Sequence, residues 1–421
     1  NLNHGFKTHS SIFLLSSLFH LPGANYNLFH LSPAYILIFS DFILLKIILD
    51  KEIIKKNIFI TFLSLASFIF INIFFYRLGE HGTDRSAMIL IILMFVNLIF
   101  FINKKPNLID NNSLKFLIII FTIVVSLKAF YLIYSLLFLP LIFYICRKDS
   151  IKILFNFNLV LCLLLFALVI FTNFLNTGCL LFPEKKTCSF DFSWSLTLET
   201  VEYLRLHYEN WAKAGSGAGY ENQIDKNEYV RKFNWFNNWL DLYFFNKISD
   251  LLLSLLFIVI IFLFLFKRLR SDVKKKNSFI LLYSIILLIF IVWLMLHPSL
   301  RYGGYHLFFL IIFIPLSLYL EKFSKKIQNL QKKILVLILI TALVFIGRNI
   351  GRLVKEYKIY AYKISNNINY PILEESFEIR ERFRKIIINN NYCKQKSNNC
   401  DEKMYKVREI FKNKYIVYRI K

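Results

Sequence analysis

Charged residues are scarce in this sequence, and glycine and proline are scarcer still. Only 19% of the 421 residues are charged, 12 are glycine and 8 are proline, whereas 57% are hydrophobic. A water-soluble domain of this length needs more polar surface than such a composition supplies. The composition therefore excludes a water-soluble globular enzyme and predicts a protein whose main solvent is lipid.

Acidic residues are also few, and recognisable nucleic-acid motifs are absent. The chain has 27 Asp and Glu against 52 Lys and Arg, a formal charge of +25. No helix-turn-helix, zinc-finger or RNA-binding signature accompanies this charge, so we expect no nucleic-acid partner. In a membrane protein with many spans, excess Lys and Arg mark the cytoplasmic helix ends.

Long apolar runs are the most abundant feature of the chain. A helix needs about 20 apolar residues to cross a bilayer, so the runs predict an all-α polytopic transmembrane bundle of about ten spans. The predicted spans are 32–49, 58–76, 87–102, 114–127, 130–145, 154–174, 251–266, 279–296, 305–320 and 334–346. The shorter run 11–21 predicts an interfacial or re-entrant helix.

The short basic loops indicate the orientation of the bundle. They read DKEIIKKN, NKKPNLIDNNSLK, RKDSIK, KRLRSDVKKKN and EKFSKKIQNLQKK, and the positive-inside rule places them in the cytoplasm. The bundle, predicted over 1–348, then has a long external loop at 175–250 and an external tail at 349–421. We expect the inner membrane of a bacterium, with both external regions in the periplasm.

The tail differs in composition from the bundle. ILEESFEIRERFRKIII has helical apolar spacing, while KYIVYRI alternates like a strand, so the tail predicts a small α/β appendage. The bundle itself shows no internal repeat of the kind that suggests an inverted-repeat transporter.

Cysteine positions agree with this topology. Four of the six cysteines fall in external regions as two close pairs, Cys179 with Cys188 and Cys393 with Cys400. Two disulfide bonds in an oxidising compartment would explain them. A zinc site is the alternative, although neither spacing matches the usual zinc knuckle.

The chain starts with Asn1 and shows no signal peptide, although the topology places this end outside the membrane. We therefore expect the sequence to be a fragment that lacks at least one upstream span and the beginning of the first external loop.

One external turn, RLGEHGTDRSAM, concentrates Glu80, His81, Asp84 and Arg85 before an apolar run. Helix capping is one interpretation, because an acidic residue suits the positive end of a helix. The other is that Asp84 or Glu80 is a catalytic acid or base or binds a divalent metal ion, while His81 and Arg85 bind phosphate.

A second external turn, HPSLRYGGYH, contains His297, Arg301, Tyr302 and His306. The planar Arg301 side chain suits phosphate, but a plain turn with an arginine extended to the interface explains the pattern equally well. Lys128, between two apolar runs, either marks a turn or supplies a counter-charge for a lipid-linked phosphate.

Four of the five tryptophans lie in the 175–250 loop, namely Trp194, Trp211, Trp235 and Trp239. They predict an aromatic belt at the membrane interface, a platform for sugar rings or polyprenyl lipid, or both.

One reaction requires all of these groups. Glycosyl transfer from a polyprenyl-phosphate donor to a cell-envelope acceptor needs an external carboxylate, cations for the departing phosphate and an apolar groove for the lipid. We therefore assign Asp84 and Glu80 as catalytic candidates. The phosphate- or substrate-binding candidates are His81, Arg85, Lys128, His297, Arg301, Tyr302 and His306.

Several motifs resemble an uncharacterised family of bacterial polytopic membrane proteins. They are NLNHGFKTHSSIFLLSSLFHLPG, EHGTDRSA, VSLKAFYLIYSL, NTGCLLFPEKKTCSF and HPSLRYGGYH. That family is similar to the GT-C superfamily of lipid-dependent membrane glycosyltransferases. The resemblance implies a GT-C-like fold and a catalytic acidic residue after the first span, which would precede Asn1.

Two other functions fit the same composition. A transporter or lipid flippase would carry ionisable residues within its spans, as Asp41, Lys46 and Lys128 do here in part. An O-antigen polymerase or ligase shares the many spans and a large external loop with basic residues.

Overall fold

The computed structural model describes residues 10–19, 28, 30–76, 83–103, 111–146, 157–192, 194–215, 217, 225–265, 279–320, 329–360, 386, 405–411 and 414–419. Four of the predicted site residues, Glu80, His81, Cys393 and Cys400, lie outside these ranges, as does most of the predicted tail helix.

Helices account for nearly all regular structure in the described ranges. The first eight are α1 (Ile12–Ser17), α2 (Leu31–Leu49), α3 (Lys51–Lys56), α4 (Ile58–Phe74), α5 (Thr83–Asn103), α6 (Asn111–Leu127), α7 (Leu139–Cys146) and α8 (Phe157–Thr177). The others are α9 (Leu198–Lys213), α10 (Lys226–Val230), α11 (Phe236–Trp239), α12 (Ser249–Leu265), α13 (Ile280–Leu296), α14 (Gly304–Leu320) and α15 (Leu330–Tyr360).

Five helices in the described residues are long and apolar enough to cross a membrane. They are Leu31–Leu49, Asp84–Asn103, Asn158–Thr177, Phe236–Leu263 and Leu330–Lys355. Five shorter apolar helices accompany them: Ile58–Phe74, Asn112–Leu127, Ala129–Ile142, Ile280–Leu296 and Gly304–Leu318. The predicted helical bundle is confirmed, and its apolar helices make this an integral membrane protein.

Helix α5 lies at the centre of the bundle. It packs against α2, α4, α6 and α14, and every residue from Ala87 to Val96 is at most 3% exposed. The helix is apolar on all sides, and such a helix is stable only when other helices or lipid surround it completely. Asp84 lies in the first turn of this tightly packed helix.

Helices α8 and α15 lie at the periphery, with large apolar side chains such as Leu164 and Leu339 about 60% exposed. Helix α15 also crosses the domain boundary predicted between residues 348 and 349 without interruption.

The predicted span 130–145 is not one α-helix. A 3₁₀-helix occupies Ala129–Phe138 and α7 follows it. Pro140 explains the change, because its ring clashes with the carbonyl four residues earlier and prevents the α-helix from extending back through Leu136. The tighter 3₁₀ turn places Tyr131 and Tyr134, three residues apart, on the same face.

The segment between α8 and α12 is largely helical rather than an extended loop. A helical stretch begins at Phe236, passes through a π-helical segment at Leu240–Ile248 and continues into α12. The apolar helix thus begins well before the predicted start at residue 251, because the aromatic residues of 236–248 continue its apolar surface.

In the tail, the structure describes a two-stranded antiparallel hairpin. Strand β1 (Tyr405–Phe411) pairs with β2 (Lys414–Arg419), and Val407 lies opposite Val417. The second strand contains most of the predicted KYIVYRI strand.

Candidate functional site

Three charged side chains from distant parts of the chain meet at the end of the bundle where α5 begins and α6 ends. Lys128 Nζ lies 2.5 Å from Asp84 Oδ1, and Arg301 Nε lies 2.7 Å from Asp84 Oδ2. The three residues were predicted separately, from three different motifs. We call Asp84, Lys128 and Arg301 the ion cluster.

Asp84 lies in the first turn of α5, where the positive end of the helix dipole favours a carboxylate. Its side chain is 18% exposed, and each of its oxygens faces a cation. The capping interpretation therefore explains the location of Asp84 but does not account for its partners. Arg85 follows it in the same turn and is half-buried.

Lys128 lies at the break between α6 and the 3₁₀-helix, with an extended backbone conformation. Its ammonium group faces Asp84, lies 3.4 Å from the Arg301 carbonyl oxygen and is 4.7 Å from the centre of the Tyr302 ring. Burial lowers the pKa of Lys128, and the negative charge of Asp84 opposes this effect.

Arg301 is the accessible member of the ion cluster, with a side chain that is 64% exposed. Burial alone would lower its pKa, but the attraction of Asp84 outweighs burial and raises it. Only its Nε atom donates to Asp84, and its two terminal nitrogens form no hydrogen bond with any residue that the structure describes. The cluster contains two cations and one carboxylate, so its net charge is +1.

Two tryptophans fix the turn that carries Arg301. Trp239 Nε1 donates to the Pro298 carbonyl oxygen at 2.6 Å, and Trp293 Nε1 donates to the Ser299 carbonyl oxygen at 3.1 Å. Both indoles are buried, so the bonds are shielded from water. The turn is therefore held from α13 and from the helical stretch that leads into α12.

Further contacts close the same turn. The Leu300 backbone N–H donates to the Tyr243 hydroxyl at 2.9 Å. Gly303 has a φ of 96°, a conformation that glycine adopts without steric cost. A Cβ atom on Gly304 would lie 2.8 Å from a Trp293 ring atom, so only glycine allows this close packing.

The rings of His297 and Tyr302 lie next to each other beside the ion cluster. The His297 ring lies 5.1 Å from that of Tyr302 and 5.8 Å from that of Phe130. Burial lowers the pKa of His297 to about 4 and raises that of Tyr302 to about 12, so both are neutral at physiological pH. Neither adds charge to the cluster.

His306 does not join the ion cluster. It is fully buried in α14, and its Nε2 atom is hydrogen-bonded to the Tyr134 hydroxyl at 2.6 Å. Its ring also packs against Tyr131 at 5.4 Å. His306 therefore connects α14 to the 3₁₀-helix that follows Lys128, a position from which it supports the cluster indirectly.

Cys179 and Cys188, one of the two predicted pairs, are joined by a disulfide bond. In the described ranges, no three His, Cys, Asp or Glu side chains are grouped as metal ligands. The only carboxylate of the ion cluster already faces two cations, which would repel a divalent metal ion.

The residues that hold the ion cluster in place were harder to recognise in the sequence than its charged residues. Tyr243 and Tyr134 lie within apolar runs whose composition needs no explanation in a membrane. The concentration of tryptophans between residues 194 and 239 was the available signal, because buried indoles need a hydrogen-bond acceptor.

No curated protein and no solved structure matches the chain. A protein-family model does match it, over residues 1–309, which is most of the bundle and includes the whole ion cluster. The chain therefore belongs to the family described as "Domain of unknown function (DUF8201)".

Proposed function

We propose that this protein is a GT-C-like membrane glycosyltransferase of about ten spans in the bacterial inner membrane. It transfers a sugar from a polyprenyl-phosphate donor to a cell-envelope acceptor on the periplasmic side. The observation that supports this function is the ion cluster, in which Asp84, Lys128 and Arg301 from three separate elements meet where apolar helices end.

The charge and exposure of the cluster favour a phosphate ligand. Its net charge is positive, and the terminal nitrogens of Arg301 present two parallel donors to one side. Such a planar fork matches two phosphate oxygens, which is why arginine is common in phosphate sites. The Lys128 ammonium group adds a second positive charge at the same place.

The location favours a phosphate attached to a lipid. The cluster lies at the ends of α6 and α13 and at the starts of α5 and α14, all of which are apolar. A molecule whose phosphate binds there places the rest of its structure beside apolar helices or in the lipid around them. A polyprenyl chain satisfies this requirement because it is entirely hydrocarbon.

The pairing of Asp84 suggests how it would act. Before the donor binds, Asp84 is the counter-ion of both cations. A donor phosphate competes for Lys128 and Arg301, and the released carboxylate can then accept a proton from the acceptor hydroxyl. The acceptor oxygen forms a bond to the anomeric carbon as the bond from that carbon to the phosphate oxygen breaks. The two cations stabilise the departing polyprenyl phosphate.

A binding experiment tests this proposal. The purified protein in lipid nanodiscs is titrated with farnesyl phosphate and, as a matched control, with farnesol, which lacks the phosphate. We expect tighter binding of the phosphate form, and about 10- to 150-fold weaker binding after Arg301→Ala or Lys128→Met, because charge-assisted hydrogen bonds contribute about 1.5–3 kcal/mol. Farnesol binding should not change.

The exposed Arg231 provides a control for the loss of an arginine, since it directly follows α10 and is not part of the turn between α13 and α14 that carries Arg301. Arg231→Ala should bind farnesyl phosphate like the wild type. Equal affinity for farnesyl phosphate and farnesol, or equal effects of Arg231→Ala and Arg301→Ala, would contradict the proposal.

One observation favours transport as a second candidate. Within the bundle, Asn72 Nδ2 of α4 donates to Asp41 Oδ1 of α2 at 2.9 Å. An ionisable group within a span is costly and is often part of a pathway for ions or substrates. In proteoliposomes, movement of a lipid phosphate between leaflets without transfer of its sugar would favour a flippase over a transferase.

A further inference from the structure

The segment after α8 forms a closed loop on the end of that helix. We call residues 178–192 and 194–198 the interface hairpin. The disulfide bond between Cys179 and Cys188 closes it, and the Ser189 N–H donates to the Gly178 carbonyl oxygen at 2.8 Å. The Leu196 N–H donates to the Thr177 carbonyl oxygen at 3.1 Å and returns the chain to the last residue of α8.

The interface hairpin has two apolar sides. On the inner side, Cys179 and Phe182 form a small buried core with Val201 and Leu204 of α9. The outer side carries large apolar residues that are each 37–46% exposed: Leu180, Leu181, Phe190, Phe192, Trp194 and Leu198. An exposed apolar surface of this kind on a folded protein indicates an interaction site.

This outer side continues the surface of α8. The rings of Phe192 and Trp194 stack at 5.2 Å, and both meet the edge of Phe174 in α8 at 5.7 and 5.6 Å. An open apolar groove of about 530 Å³ begins next to them, lined by α8 residues between Leu163 and Phe174 and by Leu180. The hairpin and the spanning helix therefore form one apolar surface.

We propose that the outer side of the interface hairpin lies in the boundary region of the bilayer, between hydrocarbon and headgroups. The acyl chain of a bilayer phospholipid fills the groove beneath it. Tryptophan and phenylalanine rings are stable at this depth, where one edge contacts hydrocarbon and the other contacts the polar boundary.

Continuity with α8 identifies the occupant. Helix α8 is long and apolar enough to cross the membrane, and Leu164, Leu168 and Phe171 on its surface are 45–60% exposed. A groove on this helix lies within the hydrocarbon, which a water-soluble partner does not enter. Lipid therefore contacts both the groove on α8 and the hairpin that follows the last residue of this helix.

This contact would also position α9. Val201 and Leu204 attach α9 to the interface hairpin, and α9 packs against α13, the helix that precedes the Arg301 turn. Contact between the hairpin and the bilayer would therefore hold α9 in place against α13. The inference does not depend on the reaction that the ion cluster carries out.

The test measures how deeply Trp194 lies in the membrane. The full chain is reconstituted in phosphatidylcholine that is unbrominated, brominated near the headgroup, or brominated near the end of the acyl chain. The difference in emission between the wild type and Trp194→Phe isolates Trp194. The four other tryptophans, common to both proteins, are Trp211, Trp235, Trp239 and Trp293.

We expect bromine near the headgroup to quench the Trp194 emission more strongly than bromine near the chain end, because tryptophan rings lie at the headgroup level of the bilayer. The double variant Phe192→Trp/Trp194→Phe moves the reporter by two residues and should give the same depth. If Trp194→Phe folds poorly, the single variant Phe190→Trp keeps Trp194, and its emission minus that of the wild type reports the depth of residue 190, which is 38% exposed on the same side.

Three outcomes would overturn the proposal. In the first, neither brominated lipid quenches Trp194, while aqueous acrylamide does, and the hairpin faces water. In the second, bromine at the chain end quenches most strongly, which places the hairpin within the hydrocarbon. In the third, both lipid and acrylamide fail to quench and the emission depends on protein density, so that a second copy of the chain covers the surface.

Discussion

The substitution Asp84→Asn separates the electrostatic role of Asp84 from its shape. Asparagine has nearly the same size, but it is neutral and presents an amide N–H₂ group in place of one carboxylate oxygen. One of the two cations would then face a donor rather than an acceptor. Both the stability of the bundle and the affinity of the site should therefore change.

The expected loss of stability follows from the exposure of the two partners. Removing one member of a buried ion pair costs about 3–5 kcal/mol, because the remaining charge is left buried and unpaired. Lys128 is close to this case, since its side chain is 18% exposed. The side chain of Arg301 is 64% exposed, so its contact contributes at most about 1 kcal/mol. We expect Asp84→Asn to lower the free energy of unfolding by about 3 kcal/mol.

The same substitution should strengthen phosphate binding. The net charge of the ion cluster rises from +1 to +2, and the internal competitor for both cations disappears. We expect about tenfold tighter binding of farnesyl phosphate, because one negative charge within a few ångströms of the bound phosphate is removed. Glycosyl transfer should be lost. If Asp84 had only a structural role, Asp84→Asn would lower the stability without raising the affinity for farnesyl phosphate.

Denaturant unfolding in detergent and titration with farnesyl phosphate measure the two effects. The double variant Asp84→Asn/Lys128→Met is the control, because it leaves no unpaired lysine and should recover more than half of the lost stability. If Asp84→Asn unfolds like the wild type and binds farnesyl phosphate with unchanged affinity, the ion cluster does not exist in the folded protein and the reasoning fails.

Three further predictions concern the surroundings of the cluster. Burial lowers the pKa of His297 to about 4, so the unfolded chain binds more protons between that pH and the ordinary value of 6.5. This group should make stability rise with pH across the window by about 3 kcal/mol in denaturant unfolding, and His297→Gln should remove that contribution. Gly304→Ala places a Cβ atom 2.8 Å from a tryptophan ring atom and should lower the free energy of unfolding by about 1–3 kcal/mol in the same assay. The control Gly351→Ala meets nothing within 4 Å and should not lower it, so equal losses of stability would refute the packing argument. Replacing Cys179 and Cys188 with serine should lower the free energy of unfolding by about 2–3 kcal/mol, and a reducing agent should destabilise the wild type but leave this variant unchanged.

Much of the architecture could be predicted from local patterns. Apolar runs long enough to cross a bilayer need no tertiary information, because a backbone in lipid must satisfy its own hydrogen bonds and does so as a helix. The same runs gave wrong helix boundaries in two places. Pro140 divides the predicted span 130–145, and the helix leading into α12 begins at Phe236 because its aromatic residues extend the apolar surface.

The candidate site could be predicted only as separate residues. Asp84, Lys128 and Arg301 were conspicuous because charge is rare near apolar runs. His306 was equally conspicuous, yet it is buried and hydrogen-bonded to Tyr134 rather than to a member of the cluster. A charge or a histidine near a helix end reports that polar contacts exist there, but it does not identify the partner.

The sequence alone determined that this protein lies in a membrane and which short segments contain its rare charged groups, since both follow from the cost of exposing apolar surface to water or charge to lipid. Only the tertiary structure decided that one carboxylate joins two cations, because Asp84 and Arg301 are separated by 217 positions in the chain. Ion pairing acts over a few ångströms between atoms, and distance along the chain carries no information about it.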